Sequence, residues 1–129
     1  MSDAVHQGSC LCGAIRFTIK GDLHAPDACH CGQCRKQSGH FWASTDVKRA
    51  ALTIEGEDNL RWFNASAQAR RGSCATCGSF LFWEPTGQDR VAVGMGAIDA
   101  PTNTRLAMHI FVANQGDYYD IADDLPQHR

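Results

Sequence analysis

The sequence predicts an all-β domain with few or no helices. Short runs of apolar or β-prone residues recur along the chain, turn-forming residues separate them, and no periodic segment is long enough for a stable helix. The runs occupy residues 14–20, 41–45, 52–55, 60–64, 80–84, 90–95 and 108–112. Many short strands joined by turns are typical of all-β domains.

The first run has the clearest strand pattern. Ile15, Phe17 and Ile19 alternate with polar residues, so one face of the strand is expected to be buried. Between the later runs, Gly and Pro mark turns near residues 21–22, 56–58, 85–87 and 101–103. Only residues 34–39 and 117–124 could form a short helical turn.

Length and composition predict a single domain that spans residues 1–129. The chain is 43% apolar and 20% charged, with a formal net charge of -2. This balance gives no reason to expect nucleic acid or an acidic membrane as a partner. The first nine residues are polar and no apolar run approaches the roughly 20 residues that cross a bilayer, so we expect a cytoplasmic protein.

The seven cysteines are the strongest functional signal. An odd number excludes a complete intrachain disulfide framework, and a reducing compartment would leave the thiols available to metals. A lone buried cysteine is usually a small hydrophobic residue, whereas closely spaced groups near glycines indicate metal binding. The groups are Cys10 with Cys12, then Cys29 with Cys31 and Cys34, then Cys74 with Cys77.

Two of these groups are pairs. In an extended strand, residues i and i+2 point to the same side, so Cys10 and Cys12 could offer both sulfurs to one ion. Cys74 and Cys77, followed by Gly78, have the spacing of a zinc knuckle. Because a closed structural zinc site needs four ligands, we expect the two pairs to share one ion and to stabilise a small β domain.

The remaining set is Cys29, Cys31 and Cys34. A zinc ion with three protein ligands keeps a fourth position for water or substrate, which is typical of catalytic sites. Two alternatives stay open. The C-x-x-C pairs at residues 31–34 and 74–77 could form a zinc ribbon, although the gap between them exceeds the usual span of about 15–20 residues. A histidine could also close the set as a second structural site, the candidates being His30, His40 and His109.

Other side chains near the cysteines are weaker candidates. We expect His30 to make a supporting hydrogen bond, because its ring would point away from the neighbouring sulfurs in an extended segment. His40 could contact substrate or lie on the surface. The basic residues Arg35, Lys36, Arg70 and Arg71 could hold an anionic substrate or be solvated. The aromatic residues Phe41, Trp42, Trp62, Phe82 and Trp83 are expected to be mainly core, with one or two at the mouth of a site.

Several stretches together resemble one known family over nearly the whole chain. They are GSCLCGAIRF at residues 8–17, CHCGQCRKQSG at 29–39, CATCGS at 74–79, HIFV at 109–112 and IADDLP at 121–126. The family is that of the glutathione-dependent formaldehyde-activating enzymes, also called the S-(hydroxymethyl)glutathione synthase or centromere protein V type. One departure is Tyr118, where the family usually has Trp before the Tyr that is Tyr119 here.

The resemblance implies a β-tent fold of small antiparallel sheets held by zinc. It implies two zinc ions per chain: a structural ion bound by Cys10, Cys12, Cys74 and Cys77, and a catalytic ion, not necessarily at full occupancy, bound by Cys29, Cys31 and Cys34. It also implies a carbon–sulfur lyase that adds glutathione to formaldehyde, or a related thiol to a similar aldehyde. Three thiolates make zinc a weaker Lewis acid than neutral imidazoles do, which favours thiol chemistry over water activation.

Two other classes of protein remain as alternatives. A zinc-stabilised binding or scaffold module without catalysis would use the same cysteines. A zinc hydrolase such as a nucleobase deaminase would need H-x-E or C-x-E with P-C-x-x-C, and a zincin would need H-E-x-x-H. Neither pattern occurs in the sequence.

Overall fold

The computed structural model describes residues 3–129 and has an all-β fold, which confirms the predicted fold class. One short helix, α1, spans Gly32–Ser38. The strands of this region are β1 Val5–Ser9, β2 Arg16–Lys20, β3 Asp27–Cys29, β4 Trp42–Lys48, β5 Leu52–Glu55, β6 Leu60–Phe63, β7 Ala69–Cys74, β8 Phe80–Pro85, β9 Arg90–Gly94 and β10 Met108–Ile110. Single 3-10 turns lie at Arg49–Ala51, Glu57–Asn59, Met95–Ala97 and Val112–Asn114.

The strands form two sheets of unequal size. The smaller sheet has the order β1-β2-β5 and is antiparallel throughout. The larger sheet has the order β10-β3-β4-β9-β8-β7-β6. Its pairs are antiparallel except for β3 with β10, which are parallel, a difference from the expected antiparallel sheets. The parallel pairing is possible because the long chain between β3 and β10 serves as the crossover connection.

The core lies between the two sheets. Phe17 and Ile19 of β2 are buried, as the alternating pattern predicted, and they pack with buried residues of β8 and β9. The rings of Phe17 and Phe82 meet edge to face, with centroids 5.5 Å apart. Full burial of a side chain of this kind contributes roughly 1.5–3 kcal/mol. Gly8 lets the Phe17 ring lie close to β1, because a Cβ on Gly8 would be only 2.3 Å from that ring.

Three strands were not predicted, and one predicted turn is absent. β1, β3 and β7 lack an apolar alternation: the inward positions of β1 are His6 and Gly8, β3 has only three residues, and β7 buries Arg71 and Gly72. The expected helical turn at residues 117–124 is wrong, since only residues 117–118 form a turn and no residue of the segment is helical. The turn expected at 34–39 does form, but begins earlier, at Gly32, and ends before Gly39, whose φ is 90°.

The aromatic residues are divided between the core and the surface of the larger sheet. Phe82 is fully buried and Trp62 packs against the core. Trp42 instead stacks on Phe80 with ring centroids 4.3 Å apart, and both rings, with that of Phe41, line a surface groove.

Candidate metal centres

Cys10, Cys12, Cys74 and Cys77 form a cluster that we call the quartet. Their four Sγ atoms lie within 4.8 Å of one another. The Sγ of Cys12 is 3.7 Å from the Sγ of Cys10 and 3.7 Å from the Sγ of Cys74. A tetrahedral zinc site with Zn–S bonds of about 2.3 Å separates its sulfurs by about 3.8 Å, whereas a disulfide separates them by about 2.0 Å. The geometry therefore fits a tetrahedral metal and not a pair of disulfides.

Two tight turns bring the quartet together. Cys10 follows β1, and the backbone N–H of Gly13 donates to the carbonyl of Cys10 at 3.3 Å, so Cys10 and Cys12 lie on a turn. The expectation that this pair lies on an extended strand is wrong. Cys74 ends β7 and its turn closes at Gly78, where φ is 82°, in keeping with the knuckle turn expected there.

Polar groups around Cys10, Cys74 and Cys77 of the quartet favour anionic sulfur, whereas the pKa of Cys12 is raised to about 11. The backbone N–H of Ile15 donates to Cys10 Sγ at 3.3 Å, and Asn59 Nδ2 donates to Cys74 Sγ at 3.3 Å. The Ser79 hydroxyl lies 3.2 Å from Cys77 Sγ and, with the backbone N–H groups around it, lowers the pKa of Cys77 to about 5. Such donors suit thiolate ligands, because they stabilise the charged form of the thiol.

Cys29, Cys31 and Cys34 form a second, separate cluster that we call the trio. Cys29 ends β3, Cys31 caps the N-terminus of α1, and Cys34 lies in the helix, with all three Sγ atoms within 4.8 Å of one another. Hydrogen bonds from Cys29 and Cys34 lower the pKa of Cys31 to about 2, while those with Cys31 and Cys34 raise the pKa of Cys29. The protonation equilibria of three sulfurs this close are coupled, because neighbouring thiolates repel each other. A divalent cation bound between them would offset this repulsion.

No fourth metal-binding side chain joins the trio among residues 3–129. The cluster is also distinct from the quartet, so the sulfurs do not group as the zinc-ribbon alternative requires. Both ring nitrogens of His30 and of His109 have hydrogen-bond partners elsewhere, which leaves neither histidine to close the set. The trio therefore has an open side in one sense: a tetrahedral metal bound there would keep one position without a protein ligand.

His30 and His109 belong to a hydrogen-bonded chain behind the trio. His30 is fully buried, and its Nε2 lies 2.9 Å from Nδ1 of His109. The Nε2 of His109 lies 2.9 Å from a carboxylate oxygen of Asp123, and the hydroxyl of Tyr119 contacts Nδ1 of His30. Burial, with His109 and His40 nearby, lowers the pKa of His30 below its ordinary value, which favours the neutral ring.

The donors and acceptors in this hydrogen-bonded chain can be assigned starting from the carboxylate at its end. The Asp123 carboxylate accepts from Nε2–H of His109, and in the neutral tautomer of His109 its Nδ1 accepts from Nε2–H of His30. Nδ1 of His30 then accepts from the Tyr119 hydroxyl. The supporting hydrogen bond that we expected of His30 is present, and it connects the segment between two trio cysteines to the C-terminal tail.

The four basic candidates have different surroundings. Arg71 is 5% exposed, and its guanidinium nitrogens Nη1 and Nη2 lie 3.6 Å and 3.7 Å from the Sγ of Cys34. Arg70 points away from this site and forms an ion pair with Glu84 at 2.6 Å. Lys36 is exposed. Arg35 differs from all of these, because its Nε is buried and has no hydrogen-bond partner in residues 3–129.

His40 and Tyr118 lie beside this network at the surface. Nδ1 of His40 contacts the Tyr118 hydroxyl, and the rings of His40 and Tyr119 meet edge to face at 4.5 Å. Tyr118, the departure from the family pattern, is 60% exposed. The loop after α1 is thus joined to the tail by two tyrosines.

A groove of about 620 Å³ reaches Cys10 of the quartet, and no cysteine of the trio lines it. Gln37 and Ser38 of α1 border it on the trio side, and Cys10, Gly78 and Ser79 border it on the quartet side. Trp42 lies within it and pairs with Cys29 across β3 and β4, which places their side chains on the same face of the sheet. No Lys, Arg, His, Asp or Glu lines the groove; the other lining residues are Ser9, Leu11, Phe41, Ala43, Phe80, Leu81, Gly94, Gly96 and Ala97.

Sequence reasoning did not assign Arg71, Tyr119 or Asp123 to these contacts. Arg71 is adjacent to an arginine of the same strand, and only the direction of each side chain distinguishes the two. Asp123 occurs among several tail carboxylates. No pattern in the sequence shows which of them returns to β10.

The fold and the two clusters define the class of protein: a small all-β protein with two cysteine centres suited to metal. The family model of the glutathione-dependent formaldehyde-activating enzymes matches residues 5–114. The chain belongs to this family. No helix within residues 3–129 is both long and apolar enough to span a membrane.

Individual relatives are distant. A Halomonas elongata protein, whose name assigns it provisionally to glutathione-dependent formaldehyde activation, is 26% identical over 125 residues, covering 89% of this chain and 80% of its own. A Schizosaccharomyces pombe protein named as an uncharacterized lyase is 25% identical over 125 residues, covering 92% of this chain and 86% of its own. A Rhodobacter sphaeroides crystal structure superposes with a TM-score of 0.64 at 18% identity, covering 78% of this chain and 99% of its own, and shows the fold alone.

Proposed function

We propose that the protein is a zinc-dependent carbon–sulfur lyase that joins glutathione, or a related thiol, to formaldehyde or a similar aldehyde. The observation that carries the proposal is a three-sulfur cluster with no fourth donor among residues 3–129, in a chain of this family. The quartet would hold a structural zinc ion, and the trio would hold a catalytic one. We further propose that residues 1–129 act as one cytoplasmic domain.

In the proposed reaction, the trio would bind the catalytic metal and the quartet would support the surrounding structure. Zinc at the trio would supply an open coordination position and lower the pKa of an incoming thiol. Cys29, Cys31 and Cys34 come from the end of a strand and the start of a helix, so packed backbone fixes their directions. The quartet joins the chain at residues 10–12 to residues 74–77, which supports the wall of the groove.

Two separate features support binding of a thiol substrate: the groove, and the side chain of Arg35, which does not line it. The uncharged groove suits the neutral part of such a molecule, and its volume of about 620 Å³ falls within the range of small-molecule sites. A carboxylate of glutathione needs a cation. Arg35 follows Cys34 and has a buried Nε without a partner, so it is the basic candidate best suited to bind one.

The reaction itself makes a small chemical demand. The thiol sulfur bonds to the aldehyde carbon, the carbonyl π bond breaks, and the thiol proton is balanced by the proton gained at the new hydroxyl. The reverse reaction breaks the same carbon–sulfur bond. What the protein contributes is the orientation of two small reactants and the presentation of sulfur in its nucleophilic form.

The test combines metal quantification with exchange spectroscopy. The wild-type protein is expected to hold two zinc ions per chain and to accelerate the exchange between glutathione and its formaldehyde adduct, measured by NMR. Cys31→Ser should lose one zinc ion and the acceleration together while keeping its fold. Cys12→Ser is the matched control, because it removes a sulfur from the quartet and should instead lower stability.

Unchanged exchange in Cys31→Ser would remove the lyase assignment. Two tightly held zinc ions without any acceleration by the wild-type protein would instead favour a zinc-stabilised binding module.

A further inference from the structure

Arg71 is a buried cation whose surroundings the proposed reaction does not explain. Strand β7 places Arg70 and Arg71 on opposite faces, as neighbours in a strand must be. Arg70 reaches Glu84 and covers the ring of Trp62. Arg71 is 5% exposed and turns toward α1, where two of its nitrogens lie 3.6 Å and 3.7 Å from the Sγ of Cys34.

The remaining donors of Arg71 are also directed at α1. Its Nε donates to Oε1 of Gln33 at 3.1 Å, and its Nη1 donates to Oε1 of Gln37 at 3.3 Å. The guanidinium carbon lies 5.4 Å from the centre of the Phe80 ring, which borders the groove. The planar fork of an arginine holds its donors in a fixed geometry that meets a sulfur and two amide oxygens at once, whereas the ammonium of a lysine is a compact charge without this geometry.

The charge of Arg71 has no carboxylate partner. Among residues 3–129, every ion pair of an arginine involves Arg49, Arg70 or Arg90. A buried charge without a counter-charge is strongly destabilising. The trio is the negative group within reach. Three thiolates around a divalent ion carry a net charge of about −1, and an incoming thiolate would make the net charge about −2.

We propose that Arg71 is a positioning residue of the trio: it orients Cys34 and offsets the negative charge of the cluster, and so strengthens the binding of both a divalent metal and an anionic thiol. This inference rests on the proposed function for the identity of the ligands. It also makes Arg71 a poor candidate for holding a substrate carboxylate, since four of its five N–H donors already have partners.

The experiment compares Arg71→Met with Arg70→Met in the full chain. The two variants lose the same charge from adjacent positions of one strand, and only the first loses a contact with the trio. Zinc affinity is measured by competition with a chelator, and glutathione dependence by exchange spectroscopy. For Arg71→Met we expect the zinc affinity of the trio to fall about 10- to 100-fold, with a raised KM for glutathione. For Arg70→Met we expect neither change.

The zinc ion of the quartet is an internal control for folding, since it should remain bound in every variant. If Arg71→Met does not fold, Arg71→Lys against Arg70→Lys decides the question. Lysine retains the charge but not the fork, so we expect a smaller loss of affinity at position 71 and none at position 70.

Equal zinc affinities of the trio in the variants of Arg71 and Arg70 would overturn the proposal. Its failure is distinguishable from failure of the proposed function. A wild-type protein that binds zinc at the trio but does not accelerate exchange would end the lyase assignment, while a loss of zinc affinity confined to position 71 would still support the role of Arg71.

Discussion

Adjacent residues of the same type have different roles in this protein. Arg70 forms a surface ion pair with Glu84, and surface pairs contribute little to stability. Arg71, one position later, contacts a sulfur of the trio. The spacing of the cysteines could be read from the sequence, because each group lies within a few residues. The different contacts of Arg70 and Arg71 could not be read from the sequence, because they depend on which face of β7 meets α1.

Arg35 offers a test at the scale of a single residue. Arg35→Met should raise the KM for glutathione about 10- to 100-fold, the loss expected for a hydrogen bond to a charged group, and should leave kcat and both zinc ions unchanged. Exchange kinetics with glutathione and with a small neutral thiol provide the measurement. The neutral thiol should show no difference between the variant and wild type. An equal effect on both thiols would mean that Arg35 does not hold a carboxylate.

Among the elements, the strands with apolar alternation were predictable and those that carry the site were not. β2 was predicted because Phe17 and Ile19 are directed into the core. β7 was not predicted, because its buried positions include Arg71 and Gly72 and so show no apolar alternation. β3 pairs in parallel with β10 over three residues, a contact formed between distant parts of the chain. Local patterns do not report such pairings.

The Asp123 carboxylate joins the C-terminal tail to β10, in addition to the backbone hydrogen bonds that His109 makes with Pro126 and His128. His109 donates to Asp123, and this hydrogen bond lowers the pKa of Asp123 below its ordinary value of 3.8. A carboxyl group whose pKa is lowered in the folded state contributes stability above its ordinary pKa, and that contribution is lost as the pH falls through the lowered value. Asp123→Asn should therefore be less stable than wild type at pH 7, with a gap that narrows below pH 3.8.

Urea unfolding of the wild-type protein and of Asp123→Asn, from pH 7 to below pH 3.8, measures the difference in their free energies of unfolding. The matched control is Asp124→Asn, at the neighbouring exposed position, which should behave as wild type. A gap that stays constant with pH would show that the charge of Asp123 is not what holds the tail.

At the scale of the whole molecule, one strand connects the two centres. Arg71 and Cys74 lie three residues apart in β7, about 10 Å along a strand, so the strand that meets the trio also supplies the quartet. The all-β class and the grouping of sulfurs into four and three were expected from the sequence. The family model ends at residue 114, and the tail beyond it adds Tyr119 and Asp123 to the network behind the trio.

The open side of the trio is the feature on which the proposed activity depends. It can be observed by loading the protein with Co²⁺ in place of zinc and titrating with glutathione, while following the thiolate-to-cobalt charge-transfer absorption. We expect the absorption to rise and saturate in the wild-type protein as a fourth sulfur binds, and to stay unchanged in Cys31→Ser. A wild-type spectrum that does not respond to glutathione, or an equal response in Cys31→Ser, would contradict an open three-cysteine metal site.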